Sequence, residues 1–290
     1  MVRGFFVSLM IGHRMLIRFG YDITVTCAQD TPMICMMSPR DERHDDLRQQ
    51  VGIVTTPEVP TTSYRDLFGN TCRRFVAPAG PFSLRSDSTI YSSPNPDPLA
   101  PFARETPIAD LPDDCLSYLL GSRYCETDKL SQIAWDMFGQ TPPGWGRVQA
   151  ICDYVHGHIR FDYMQARATR TAHDAWIEGV GVCRDFAHLA VALCRCMNLP
   201  TRYVNGYIAD IGVPITGPND FCAWIEVFLD GRWHTFDPRN NIRRIGRIVV
   251  AYGRDAADVP LIHSFGAHTL NRFKVWADEV PPITAGESRL

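Results

Sequence analysis

The sequence predicts an α+β fold in which a small antiparallel β domain precedes a larger core, and three observations indicate it. Up to about residue 92, apolar and polar residues alternate along several short segments, as in half-buried strands. A proline-rich stretch follows at 93–101. Beyond it, helical patterns precede strand patterns, which is typical of an α+β domain. We therefore expect an N-terminal β domain at 1–96, a linker at 97–109 and a core at 110–290.

The composition is that of a globular protein and argues against several classes of partner. The chain has 290 residues, of which 45% are hydrophobic and 21% charged, and its formal net charge is −3. Because no basic patch is visible, we expect neither nucleic acid nor a membrane surface as a partner. The ten cysteines are scattered and form no Cys-x-x-Cys pair, so we expect a reducing, cytoplasmic compartment and no cofactor.

The first residues faintly resemble a signal peptide. Their apolar run is short and passes into His13 and Arg14 without the small-residue pattern of a cleavage site. We therefore expect translation to start at Met10 or Met15, with export as the alternative.

Period-two alternation predicts the strands of the β domain. It is clearest from Ile17 to Cys27, where every second residue is apolar or small. Gly69 and Asn70 indicate the turn of a hairpin. The further strand predictions of this domain fall at 33–37, 47–56 and 83–92, with the hairpin at 66–76.

The core begins with helical patterns. Short amphipathic helices are predicted at 110–120, 128–138, from 141 onward and at 171–176. The most apolar helix is predicted at 183–197 and should be buried in the domain centre. Strands are then predicted at 202–208, 221–229, 232–236, 244–252 and 271–276.

The chemistry-bearing stretch is the start of the central helix. A turn with Gly179 and Gly181 leads into Cys183, which opens the helix. A helix N-terminus offers unpaired N–H groups and the positive end of a dipole, both of which favour a thiolate. Cys183 is therefore the best candidate nucleophile, and Gly181 would let a substrate approach closely. The alternative is a small buried residue at a helix start.

Three motifs in order give this region a family resemblance. Gly-Val-Cys-Arg-Asp-Phe-Ala-His-Leu is followed by Arg-Tyr-Val-Asn-Gly-Tyr, then by Ala-Trp-Ile-Glu-Val and Trp-x-x-Phe-Asp-Pro. Over about 171–241 the chain resembles the transglutaminase-like core, and the flanking regions resemble the bacterial, cysteine protease-like members with an N-terminal β domain. The resemblance implies a papain-like core, with a central helix packed on an antiparallel sheet. It also implies thiol acyl chemistry, either amide hydrolysis or acyl transfer to an amine.

Carried over residue by residue, the resemblance gives Cys183 as nucleophile and Asp237 as the carboxylate that orients a histidine. The histidine position itself is Cys222. In such a triad the histidine takes the thiol proton and later protonates the leaving amine, which a thiol cannot do. Three other histidines could in principle act as the base for Cys183, and we expect that none of them does: His173, His188 and His234. Trp224 is a weaker candidate for a substrate contact.

Four interpretations stay open at this point. Catalysis is weak or lost, which would leave a pseudoenzyme or a module that binds peptides or amines. Alternatively, the chain is an active cysteine peptidase, amidase or acyl transferase that uses Cys183 with a different base. As a third alternative, Cys183 and Cys222 form a redox switch, and as a fourth they bind a metal together with Asp237. In each enzymatic or binding case the expected partner is a peptide or protein.

Overall fold

The structure is a computed structural model that describes residues 14–50, 52–215 and 219–281. The candidate signal peptide and the alternative start at Met10 lie outside the described residues. The first described strand, β1, begins at Met15. The strands that precede the linker are β1 (Met15–Cys27), β2 (Thr31–Cys35), β3 (Leu47–Gln50), β4 (Val54–Thr56), β5 (Thr62–Arg65), β6 (Thr71–Ala77) and β7 (Gly80–Ser92).

The later elements are five helices and eight strands within the described ranges. The helices are α1 (Asp113–Leu116), α2 (Thr127–Phe138), α3 (Trp145–His158), α4 (Ala172–Glu178) and α5 (Cys183–Cys196). The strands are β8 (Arg160–Phe161), β9 (Val180–Gly181), β10 (Thr201–Ile208), β11 (Phe221–Leu229), β12 (Arg232–Phe236), β13 (Arg247–Gly253), β14 (Ile262–Ser264) and β15 (His268–Val280).

The β domain is built from two sheets. One has the order β15-β1-β7-β3, with β4 also paired to β7, and the other has the order β14-β2-β6-β5. The predicted strand at 47–56 is two strands, because β3 and β4 pair with different parts of β7, with Leu47 opposite Ile90 and Val54 opposite Arg85. The predicted hairpin is the turn between β5 and β6.

The last strand pairs with the first one. The strand predicted at 271–276 is part of β15, which runs antiparallel to β1 from Leu16 to Cys27. Its two buried apolar residues explain the pairing, because Val275 lies opposite Tyr21 and Ala277 opposite Phe19, and these extend the buried face of β1. The proposed domain bounds stay predictions.

The central helix packs on an antiparallel sheet, as predicted. That sheet has the order β12-β11-β10-β13, and every residue of α5 from Asp185 to Cys196 is buried. Side chains alternate along β11. Ala223, Ile225 and Val227 join the main core that includes α5, whereas Trp224 joins Val204 and Ile208 in a separate cluster. The first predicted helix is shorter than 110–120, because α1 is flanked by single 3-10 turns at Ile108–Asp110 and Ser117–Leu119.

Candidate active site

Cys183 opens α5, and a buried carboxylate fixes that helix start. Asp185 accepts a hydrogen bond from the backbone N–H of Val182 at 2.9 Å. The same carboxylate is paired with Arg170 at 3.2 Å and Arg184 at 3.3 Å. Because its charge is matched and hydrogen-bonded on several sides, the buried Asp185 holds the first turn of the helix in one position.

The sulfur of Cys183 lies in an environment that favours the neutral thiol. Burial raises the pKa of Cys183 to about 11. The backbone N–H of Ala223 opposes this rise, the carboxylate of Asp220 adds to it, and the charge of Arg239 opposes it. Desolvation therefore outweighs the effect expected from the helix start, and Cys183 needs a base in order to react at neutral pH.

Cys222 stands at the position that the family resemblance assigns to the histidine. It lies on β11 opposite Gly206 of β10, is half-buried, and its thiol points to the carbonyl of Asp220 at 3.8 Å. Burial raises the pKa of the Cys222 thiol, and the nearby Cys183 raises it further. Both cysteines are free thiols. A neutral thiol of higher pKa cannot take the proton of Cys183, so Cys222 offers no base.

Asp237 is engaged by groups other than a histidine. Its Oδ2 accepts a hydrogen bond from Arg247 at 2.9 Å and another from the side-chain amide of Asn240 at 2.8 Å. Its Oδ1 accepts the backbone N–H of Asn240 at 2.9 Å. Burial alone would raise the pKa of Asp237, but the charge of Arg247 and the Asn240 hydrogen bonds outweigh it and the net shift is downward. The carboxylate that would orient a histidine is therefore an ion-pair partner of Arg247.

The three histidines weighed as substitutes have other partners. Within the described ranges, no histidine is hydrogen-bonded to Cys183, and none is among the groups that shift the pKa of its thiol. His173 stacks near Trp176, His188 stacks on Tyr124 and accepts the N–H of Ala256, and His234 is hydrogen-bonded to the carbonyl of Leu229.

A cleft of about 530 Å³ opens beside Cys222. Its walls include Tyr163, Asp220 and Arg239, which the sequence analysis did not select. Asp220 and Arg239 each stand two residues from a selected position, Cys222 and Asp237, and that proximity was the available signal. Tyr163 sits in a short 3-10 turn, and no motif marks it.

Burial bears on the two weaker site predictions, Trp224 and Gly181, which stay predictions. Trp224 is fully buried and lies against the guanidinium of Arg247, 4.9 Å from the ring centroid, so it has no surface to offer a substrate. At Gly181 a Cβ would come within 2.7 Å of Asp185, which shows that the side chain of Asp185 fills the space above this glycine. The glycine therefore makes room for the carboxylate at the helix start.

The metal alternative has no support in the structure. Among the residues that the structure describes, no group of three or more His, Cys, Asp and Glu side chains is arranged to hold an ion.

Within the described ranges, no helix is long and apolar enough to cross a membrane.

Comparisons with known proteins agree with this architecture. The family model described as the transglutaminase-like superfamily matches residues 131–238. A Mycobacterium leprae protein, ML0607, is 34% identical over 110 residues, and the match covers 34% of this chain and 38% of that relative. Rv2569c of Mycobacterium tuberculosis is 28% identical over 246 residues, covering 77% of this chain and 78% of the relative.

A solved structure matches nearly the whole chain. It is the crystal structure of a cysteine protease candidate from Cytophaga hutchinsonii, with a TM-score of 0.80 and 26% identity over 93% of this chain and 92% of that one. The likeness confirms the predicted fold class.

Proposed function

We propose that the chain binds peptides in the cleft beside Cys222 and that its histidine-dependent acyl chemistry is weak or lost, because residues 131–238 match the model of the transglutaminase-like superfamily. The observation that carries this proposal is the pairing of Asp237 with Arg247 at 2.9 Å, while a thiol stands in the histidine position. A positioned general base contributes about 10²- to 10⁴-fold to such reactions, so its loss removes most of the rate.

The cleft supports the binding half of the proposal. It is large enough for a few side chains, and it lies between β11 and the turn that carries Tyr163. The similar protein from Cytophaga hutchinsonii is described as a cysteine protease candidate, which suggests a peptide rather than a small metabolite as ligand. All ten cysteines are free thiols, and we propose a cytoplasmic location on that ground.

The test restores the base. Cys222→His should raise the rate of amide hydrolysis, or of hydroxamate formation with hydroxylamine, by about 10²-fold over the wild type. Cys222→Ser is the matched control, because it changes the thiol without supplying a base and should give no gain. A measurable wild-type rate that Cys222→His leaves unchanged would contradict the proposal.

A second candidate function is an active thiol enzyme with a different base, and Asp220 favours it. This carboxylate lies in the cleft and acts electrostatically on Cys183. Burial raises the pKa of Asp220, although hydrogen bonds from the Phe221 backbone and Tyr163 lower it in part, and a carboxylate with a raised pKa is a better base. For this candidate the wild type should hydrolyse amides and Asp220→Asn should abolish the activity. An inactive wild type excludes it.

A further inference from the structure

We propose that Arg239 binds a carboxylate of the peptide ligand, so that the cleft beside Cys222 selects acidic peptides or free peptide C-termini. This inference rests on the proposed function, because it takes this cleft as the ligand site. It adds a substrate class to that function.

Arg239 is held in place by two contacts, and neither uses the N–H donors of its guanidinium. The group lies over the ring of Phe161, 4.1 Å from the ring centroid. The backbone carbonyl of Arg239 is hydrogen-bonded to Nδ1 of His156 at 2.8 Å. Stacking on an aromatic face orients the planar guanidinium and leaves its N–H donors available at the edge. Such a fork matches the geometry of a carboxylate.

The other arginines of this region are already matched with acids. Arg244, which lines the same cleft, is paired with Asp210 at 2.7 Å. Arg247 is paired with both Asp97 and Asp237. Arg239, by contrast, forms no ion pair with any of the residues that the structure describes, although it is half-buried. A half-buried guanidinium without a carboxylate is an open position for an anion.

Neither acid that lines the cleft is paired with Arg239 among the described residues. Asp210 is paired with Arg244, and Asp220, whose pKa is raised by burial and lowered in part by the charge of Arg239, forms no ion pair with Arg239 within the described ranges. The charge of Arg239 also lowers the thiol pKa of both Cys183 and Cys222, so it lies within electrostatic reach of both sulfurs. An anionic ligand group that meets Arg239 would therefore place its neighbouring atoms near the two thiols.

Two alkylating reagents of nearly equal size test the inference without a known ligand. Iodoacetate carries a carboxylate and iodoacetamide does not, and in both cases the thiolate displaces iodide from the same carbon. The ratio of their rates at Cys183, measured by mass spectrometry of the peptide, cancels any change in thiolate fraction. We expect this ratio to exceed that of glutathione in the wild type and to fall about fivefold in Arg239→Gln.

Two control variants separate charge from structure. Arg239→Lys keeps the charge and should retain most of the preference for iodoacetate. Arg232→Gln removes an exposed arginine at the far end of β12 and should leave the ratio unchanged. A wild-type ratio equal to that of glutathione, or an equal ratio in wild type and Arg239→Gln, would overturn the inference.

Protection experiments identify the source of the carboxylate. Acetyl-Ala-Glu-Ala-amide should slow the iodoacetamide labelling of Cys183 more than acetyl-Ala-Gln-Ala-amide does if acidic side chains are bound. Acetyl-Ala-Gln-Ala with a free carboxylate should be the better protector if C-termini are bound. Equal protection by all three overturns the inference. These readouts do not depend on turnover, so the inference can fail while the Cys222→His gain stands, and the reverse also holds.

Discussion

Cys183 lies at the start of α5, where burial of its thiol opposes ionisation. The residues next to it serve to pack the helix start. Gly181 is an example, because a Cβ there would meet Asp185 at 2.7 Å. The sequence indicated the nucleophile position through its glycines and the apolar helix that follows. It could not indicate that the glycine makes room for Asp185, since Arg170 and Arg184 fix that carboxylate from elsewhere in the chain.

Gly181→Ala should lower the free energy of unfolding by about 1–3 kcal/mol, because the new methyl group must displace a buried, paired carboxylate. Gly157→Ala in α3 is the matched control, since no atom lies within 4 Å of its Cβ position. It should raise stability by about 0.5–1 kcal/mol through helix propensity. Urea denaturation of both variants measures the difference. Equal stability of the two variants would show that the Asp185 side chain can move aside without a loss in the free energy of unfolding.

The two site cysteines also allow a redox prediction. Burial and the nearby Cys183 raise the pKa of the Cys222 thiol, and both cysteines are free thiols of half-buried residues. If their Cα atoms lie within about 7 Å, mild oxidation should form a disulfide. The intact mass would then fall by about two hydrogen masses, and reductant would restore it. Cys222→Ser should show no such change, and a wild type whose mass never changes excludes the redox switch.

Among the structural elements, Arg247 links two segments through ion pairs: the linker, through Asp97, and the connection after β12, through Asp237. Its guanidinium is paired with Asp97 at 2.8 Å and with Asp237 at 2.9 Å, and all three side chains are largely buried. In this chain the carboxylate carried over from the family resemblance has a structural partner. The sequence could not predict that pair, because Asp97 is 150 positions from Arg247.

Arg247→Met should lower the free energy of unfolding by about 3–5 kcal/mol, because it leaves two buried carboxylates without their cation. Arg243→Met is the control, since this arginine is exposed and its guanidinium donates a hydrogen bond to the backbone carbonyl of Asp97 at 3.3 Å. It should cost less than about 1 kcal/mol. Chemical denaturation gives both values, and equal losses would contradict a dominant role for the buried pairs.

For the whole molecule, local patterns predicted most elements and missed the long-range pairings of β15 with β1 and of β14 with β2. The bounds of β11 and β12 follow from a tight hairpin and from alternation, both of which are local. The pairing of β15 with β1 joins opposite ends of the described chain. Most residues of β15 are exposed, so its sequence carries little sign of the sheet that it joins. The cleft was missed for the same reason, because its residues meet only in the folded chain.

The buried His188 predicts how the stability of the whole molecule depends on pH. Burial holds the pKa of His188 well below its usual value of 6.5, and its Nε2 accepts the N–H of Ala256. The unfolded chain therefore takes up a proton below pH 6.5 that the folded chain refuses. The free energy of unfolding should fall by up to about 1.36 kcal/mol per pH unit for this group as the pH drops.

His188→Gln should show a smaller loss of stability between pH 6.5 and pH 4.5, because it has no ring to protonate. His234, whose pKa is also lowered by burial, contributes in the same window in both proteins, whereas Asp237 contributes only near and below 3.8. Denaturation series at several pH values measure the slopes. Identical slopes in wild type and His188→Gln would contradict the assignment.

We propose that Cys183 lacks a base, and the pH dependence of its reaction with iodoacetamide provides the test. Burial raises the pKa of Cys183 to about 11, and no imidazole among the described residues is hydrogen-bonded to it. We predict that the second-order rate at Cys183, followed by mass spectrometry, rises steadily with pH and shows no inflection below pH 9. An inflection below pH 8, with a rate above that of a free thiol, would contradict the claim and reveal an activated nucleophile.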